Sequence, residues 1–170
     1  MLRALAASLV CLLGSAHAWA QVPAATEGVV VRVVDGDTVH LRLGDRTEKV
    51  RYIGVNAPEL HHPSRGEEPG GRQAYQVNRR LVEGKRVRLE LDVQTRDRYG
   101  RLLAYVWTGD TMVNAELVRL GYAQVMTVPP NVRHQSLFLK LQRDARDAAR
   151  GLWSASEPGS VLAGESPRNR

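Results

Sequence analysis

The chain has 170 residues, 43% hydrophobic and 25% charged, with 24 Lys and Arg against 18 Asp and Glu for a net charge of +6. That length supports one domain with its own core, and the excess of arginine suits partners bearing phosphate while favouring nucleic acid only modestly by itself. The single cysteine, Cys11, excludes a disulfide-stapled scaffold and a cysteine-rich zinc module.

Residues 1–20 read as a signal peptide. Arg3 supplies a positive start, and Ala4 to Leu13 is apolar but too short to span a bilayer. Ala16-His17-Ala18 and Ala18-Trp19-Ala20 both place small residues where a signal peptidase reads, so cleavage is expected after Ala18 or Ala20. The mature protein is then expected to be secreted or periplasmic, free of the membrane and without cysteine. Residues 21–27 read as a linker.

From Val29 the pattern alternates, with Val29, Val31 and Val33 on one face and Val30, Arg32 and Val34 on the other. Asp35-Gly36 is a hairpin-turn dipeptide leading into a second strand that directs Val39, Leu41 and Leu43 one way. Gly44-Asp45 turns into a third strand over Thr47 to Val55. His61 to Gly71, rich in Pro, Gly, His and charge, reads as a mobile surface loop. Gln73 to Val82 predicts a helix that gathers Ala74, Val77 and Leu81 and stops at Gly84.

A fourth strand over Lys85 to Val93 directs Val87, Leu89, Leu91 and Val93 inward. Arg101 to Trp107 makes the fifth. Met112 to Leu120 reads as a short helix. His134 to Arg150 reads as a longer one, with Leu137, Leu141, Ala145 and Ala148 on one stripe. Five strands with a helix between the third and fourth imply an α+β fold, a five-stranded OB-type β-barrel with about three helices. The domain is assigned to residues 28–153, and residues 154–170 read as a disordered tail. His61 and His62 are adjacent in a polar loop with no spaced third ligand, which does not make a zinc site.

The residues that carry chemistry are distributed along this scaffold. Asp35-Gly36-Asp37-Thr38 places two carboxylates around the first turn. Arg51 shares strand parity with Ile53 and Val55, where a charge is costly unless paired. Asn56-Ala57-Pro58-Glu59 follows, stiffened by Pro58. Asp97-Arg98-Tyr99-Gly100-Arg101 precedes the fifth strand. Taken singly, Asp35 is a turn residue, Glu59 a loop acid, and each arginine an ion-pair partner. Taken together, they supply oxygen ligands for a hard cation, a carboxylate that handles water and guanidinium forks for phosphate.

This ordered set resembles the staphylococcal nuclease (thermonuclease) family over roughly Val29 to Trp153. The resemblance implies Ca²⁺ held by Asp37, with Asp35 in support and Asn56 where the family has a second metal-binding aspartate. It further implies Glu59 activating water, Arg51 and Arg101 gripping the scissile phosphate, and Arg98 and Tyr99 contacting the nucleotide. The expected activity is a monomeric endonuclease on DNA and RNA with little sequence preference, leaving 3′-phosphate ends and needing no stable protein partner. The alternative is a non-catalytic OB-type nucleic-acid-binding module, in which the acids and arginines are typically eroded. Around Met126-Thr127-Val128-Pro129 the family carries substrate-packing tyrosines that this chain lacks.

Overall fold

The structure is a computed structural model that describes residues 25–61, 64 and 66–154. The expected signal peptide, most of the linker, His62 and all but the first residue of the expected tail lie outside the described residues.

Five long strands form the frame: β1 (Ala25–Val33), β2 (Thr38–Leu43), β3 (Arg46–Tyr52), β5 (Arg86–Glu90) and β6 (Leu102–Thr108). Short pairings add β4 (Val55–Asn56) against β8 (Gln124–Val125), and β7 (Thr111–Met112) against β6. The order is β3-β2-β1-β5-β6, and parallel pairing of Val50, Arg51 and Tyr52 with Leu102, Leu103 and Ala104 closes the sheet into an OB-type barrel. Three helices surround it: α1 (Gly71–Val82), α2 (Val113–Arg119) and α3 (Gln135–Asp147).

The barrel interior is filled by Val30, Val39, Leu41, Val50, Val87, Leu89 and Leu102, each at most 1% exposed. The alternation read for β2 therefore holds. That for β1 does not. A bulge between Val30 and Arg32 sets both Val31 and Arg32 against His40, so the face changes partway along the strand. Val30 and Val33 point in, while Val31 is 46% exposed and Arg32 turns outward.

Other boundaries shift for local reasons. β1 starts at Ala25, because Ala25, Thr26 and Glu27 pair with Glu90, Leu89 and Arg88 of β5. The third strand ends at Tyr52, where Gly54 takes φ +77° and re-aims the chain into β4. Val93 lies beyond β5 and is 72% exposed, not inward. In α3 the buried residues are Phe138 and Ala145, and Leu137 is exposed. Phe138 lies over Gly54, where a Cβ would come within 2.6 Å of its ring.

Two buried asparagines fasten helices to the barrel. Asn114 of α2 accepts a hydrogen bond from the Val106 N–H and donates to the Ile53 carbonyl, both at 2.9 Å. Asn78 of α1 accepts from the Tyr52 hydroxyl at 3.0 Å and donates to the Asp35 carbonyl at 2.9 Å. Each meets backbone groups that the ladder leaves unpaired.

The start of α3 is held by charge. Glu90 accepts hydrogen bonds from Trp107 Nε1, Arg133 Nη1 and His134 Nε2, each at 2.9 Å. Partial burial opposes ionisation of Glu90, but these donors together outweigh it and hold the carboxyl below its usual range. A lowered carboxylate stabilises the fold above its unfolded pKa and loses that contribution as pH falls through the folded value. Glu90→Gln should therefore lower stability at pH 7 by about 1–2 kcal/mol, with the difference vanishing in acid below the ordinary carboxylate range. Urea titrations of both proteins across pH 3 to 8 measure this, and a pH-independent difference contradicts it.

Candidate active site

The loop between β1 and β2 brings two acids to the barrel rim. Asp35-Gly36 is not the tip of a two-residue hairpin: the Val34 N–H donates to the Thr38 carbonyl at 2.9 Å around a longer turn. Within it the Asp37 N–H donates to Asp35 Oδ1 at 3.0 Å. Gly36 is required by contact. A Cβ there would run into that of Ala57 and come within 2.8 Å of that of Ala74 on α1. The acidic loop, the loop before Pro58 and helix α1 thus meet at a point where only hydrogen fits.

Asp37 is 4% exposed and Arg51 8% exposed, joined at 3.0 Å between Asp37 Oδ2 and Arg51 Nη2. Arg51 stands opposite Thr38 on the outer side of the sheet and is buried beneath the 53–57 segment that folds over it. Its Nη1 donates to the Tyr52 and Val55 carbonyls, both at 2.8 Å, and Nη2 also donates to Asn56 Oδ1 at 3.0 Å. The terminal amino groups therefore make three hydrogen bonds and one ion pair, and Nε–H lies outside these contacts. Asp37 is equally engaged: Oδ1 accepts from the Thr38 hydroxyl at 3.0 Å and Oδ2 from the Ala57 N–H at 2.7 Å. Burial pushes the Asp37 carboxyl up to about 7; Arg51 opposes the rise and the charge of Asp35 adds to it. One close ion pair does not replace the water that was lost.

Glu59 is held through its backbone. Its N–H donates to Glu68 Oε2 at 3.0 Å, and its carbonyl accepts from the Glu68 N–H at 2.9 Å. Gly71, the first residue of α1, approaches the Glu59 carbonyl so closely that no Cβ fits between them. The segment expected to be a free surface loop is thus tied at this end to the candidate base.

Arg101 is positioned from within its own loop. Asp97 Oδ2 accepts from its Nε at 2.6 Å, and Asp97 Oδ1 accepts from the N–H groups of Tyr99 and Arg101 at 2.9 and 3.0 Å. Burial opposes the Asp97 charge, but these donors outweigh it and hold its carboxyl below the usual range. The two terminal amino groups of Arg101 remain outside this pair. Tyr99 is 67% exposed, and the guanidinium groups of Arg98 and Arg101 lie 4.8 and 5.5 Å from its ring centre.

Six of the eight residues expected at the site, Arg51, Asn56, Glu59, Arg98, Tyr99 and Arg101, line one cleft of about 510 Å³. Asp35 and Asp37 do not line it. Asp37 meets the cleft-lining Arg51, and Asp35 accepts from the Asp37 N–H. The apolar part of the wall is Ile53, Leu103, Met126 and Val128, with Gln94 and Asn131 at its edge. Asn131 accepts from the Gln94 N–H at 2.8 Å and donates to the Gln94 carbonyl at 2.7 Å, securing that wall.

Sequence reading missed Asn78, Asn131 and Glu68. For Asn78 a signal exists: it interrupts the apolar stripe of Ala74 and Val82 at helical spacing, where an amide has to be hydrogen-bonded.

The donors near Asp37 are all oxygens, as a hard cation requires. By the acceptor capacity of a carboxylate, the one hydrogen bond to Asp37 Oδ1 leaves that oxygen a lone pair, while Oδ2 accepts from Ala57 and pairs with Arg51, and Asn56 Oδ1 keeps a lone pair beyond its bond to Arg51. These residues fit such an ion in donor type. Among the described residues no three Asp, Glu, His or Cys side chains converge, consistent with an amide at position 56.

Residues 49–155 match the family model described as staphylococcal nuclease homologue. The chain is 38% identical over 125 residues to thermonucleases of Staphylococcus intermedius and Staphylococcus hyicus, covering 74% of each sequence in both comparisons. It is 35% identical over 127 residues to Endonuclease YncB of Bacillus subtilis (strain 168), covering 74% of this chain and 60% of that protein.

The raised Asp37 carboxyl fixes a sign for stability. Its folded value of about 7 lies above the ordinary 3.8, so the folded protein holds a proton that the unfolded chain releases between those values. Stability is therefore lost as pH rises from about 4 to 7, and the penalty is complete above it. In chelator, Asp37→Asn should be more stable than the parent at pH 8 by on the order of 3 kcal/mol, with the gap closing toward pH 4. Equal urea midpoints at pH 8 would show that Asp37 ionises without penalty.

Proposed function

The chain belongs to the staphylococcal nuclease family, and from that premise we propose that it is an exported, calcium-dependent endonuclease cutting DNA and RNA with little sequence preference. Hydrolysis of phosphodiester bonds in nucleic acid is the activity that its family and its thermonuclease and endonuclease relatives establish. The observation that carries the finer reading is the convergence of Glu59, Arg51 and Arg101 on one cleft, with the Asp37 carboxylate directly behind Arg51. A binding module needs none of that pairing. The leader-like N-terminus supports export, and nothing in the reaction requires more than a monomer.

In this mechanism the substrate strand lies in the cleft with the scissile phosphate between the two arginines. Glu59, its backbone fixed by Glu68, orients a water and accepts its proton as the oxygen attacks phosphorus. The bond to the 5′-oxygen breaks, and that oxygen takes up a proton from solvent to leave as a 5′-hydroxyl, giving a 3′-phosphate end. Arg101 directs its terminal donors at the oxygens where negative charge builds. Arg51 contributes a fixed positive charge and its remaining Nε–H. Calcium, when bound, supplies further positive charge to the phosphate. Asp37 and Asn56 would hold it, with Asp35 supporting the loop. Tyr99, exposed beside Arg98 and Arg101, adds an aromatic contact for the nucleotide. Met126 and Val128 line the cleft wall, in the segment 126–129 where the family resemblance leads one to expect tyrosines, so base contacts there are apolar rather than stacked.

Calcium should support digestion of plasmid DNA and RNA, and EDTA should abolish it. Glu59→Gln should lower turnover by roughly 10²–10⁴ with the fold intact by circular dichroism. The two arginines should separate. Arg101→Lys should lower turnover by about 10²-fold or more with little change in stability. Arg51→Lys should lower turnover and also destabilise, because one ammonium cannot satisfy the Tyr52 and Val55 carbonyls, Asn56 and Asp37 together. Activity retained in excess chelator, or a folded Glu59→Gln enzyme with normal turnover, contradicts this assignment.

A further inference from the structure

Arg51 does not stand alone on its face of the sheet. In β3 the outward side chains are Thr47, Lys49 and Arg51, and two residues along a strand advance it by roughly 6.6 Å. Lys49 lies opposite His40 of β2, and His40 lies opposite Arg32 of β1, giving a row of three nitrogen bases across three strands. One row further, Arg42 of β2 lies opposite Val29 of β1, which lies opposite Arg86 of β5. Arg32, Arg42, Lys49 and Arg86 are all exposed.

This face is unneutralised over most of its extent. Among the described residues no carboxylate pairs with Arg32, Arg42 or Lys49; the one acid on the track is Glu27, 3.9 Å from Arg86. Glu48, between Thr47 and Lys49, faces the other side and is taken by Arg96 at 2.9 Å. The proximity of the charges also registers on His40, whose imidazole is held below its ordinary value by burial and then by Arg32 and Lys49. The bulge at Val31 contributes directly. In an unbroken strand Arg32 would stand opposite Val39 and point into the core; the extra residue turns it outward opposite His40.

We propose that this outer face, through Arg32, Arg42 and Lys49, is a second contact surface that holds the phosphate backbone of a substrate strand where it leaves the catalytic cleft. The surface begins beside Arg51 and extends roughly 13 Å along β2 and β3. Separated, exposed cations with no base-reading side chains among them fit a phosphate chain of any sequence. The proposal rests on the nuclease reading for the direction of the strand, and the experiment separates the two.

The test compares the parent with Arg32→Gln/Arg42→Gln/Lys49→Gln and with the charge-preserving Arg32→Lys/Arg42→Lys/Lys49→Arg. Two substrates are used: a trinucleotide confined to the cleft, and a single strand of about 30 nucleotides, longer than the ~4–16 that an OB-type fold covers. Binding of the long strand is followed by fluorescence anisotropy in chelator over a salt series, and cleavage of both strands in calcium. The neutral variant should bind the long strand at least about tenfold more weakly at low salt, with a salt slope smaller by about 2, near 0.7 per lost contact. Its kcat and KM on the trinucleotide should match the parent, and the charge-preserving variant should behave as the parent throughout.

Unchanged long-strand binding overturns the proposal, as does an equal loss on both substrates, which would place the effect in the cleft. Loss of binding only to vesicles of anionic phospholipid also overturns it, by identifying a membrane surface as the occupant. If the parent cleaves neither strand, the nuclease reading falls, and the anisotropy comparison still decides whether the face holds nucleic acid.

Discussion

The site is organised around a positive charge that folding has withdrawn from water. Arg51 is tolerated in the interior because Asp37 pairs with its charge and the Tyr52 and Val55 carbonyls and Asn56 accept its terminal donors. Those acceptors come from the first turn, the end of β3 and the start of β4. The first turn and the end of β3 are already joined by the bond from the Tyr52 N–H to the Asp37 carbonyl at 2.9 Å, and the guanidinium adds the start of β4 to them. Movement of any of the three leaves a buried donor or acceptor unmet, so the cleft wall that they form is stiff without needing a continuous sheet.

The remaining fixtures follow a consistent logic. Polar groups freed where the barrel ladder is interrupted are met by side chains rather than solvent: Asn78 and Asn114 serve the first turn and the end of β3, and Glu68 serves the loop that carries Glu59. Arg101 is handled differently. Its loop stays at the surface and is ordered by Asp97, which leaves its terminal donors toward the cleft side of the molecule. One arginine is thus a structural centre that borders the cleft, and the other is a surface group held ready for an anion.

Much of this was legible in the sequence wherever a local pattern decides the outcome. The inward residues of β2, the hairpin at Gly44-Asp45 and the helix stop at Gly84 depend on periodicity and turn chemistry alone. The candidate residues were found because their order along the chain is itself distinctive. What escaped depends on partners remote in sequence. The bulge at Val31 exists because β2 pairs two residues against one, so no pattern within β1 announces it. Phe138 is buried because Gly54 makes room for its ring, and Val93 is exposed because β5 ends before it. A charge at position 51 could be read as needing a partner, but its acceptors are assembled only when the barrel closes.

The contact at Gly36 has a consequence for when the molecule becomes dangerous. The acidic loop reaches its position only by seating against Ala57 and against Ala74 of α1, with no space for even a methyl group. Helices at the edge of a barrel can open locally at lower free energy than the whole domain unfolds. A chain whose barrel has formed but whose α1 has not yet docked therefore lacks the surface that positions Asp37, and with it the arrangement around Arg51. Nucleic acid meeting such a chain encounters an unarmed protein. Docking of α1 is thus a condition for the arrangement around Arg51, set by the smallest side chain in the sequence.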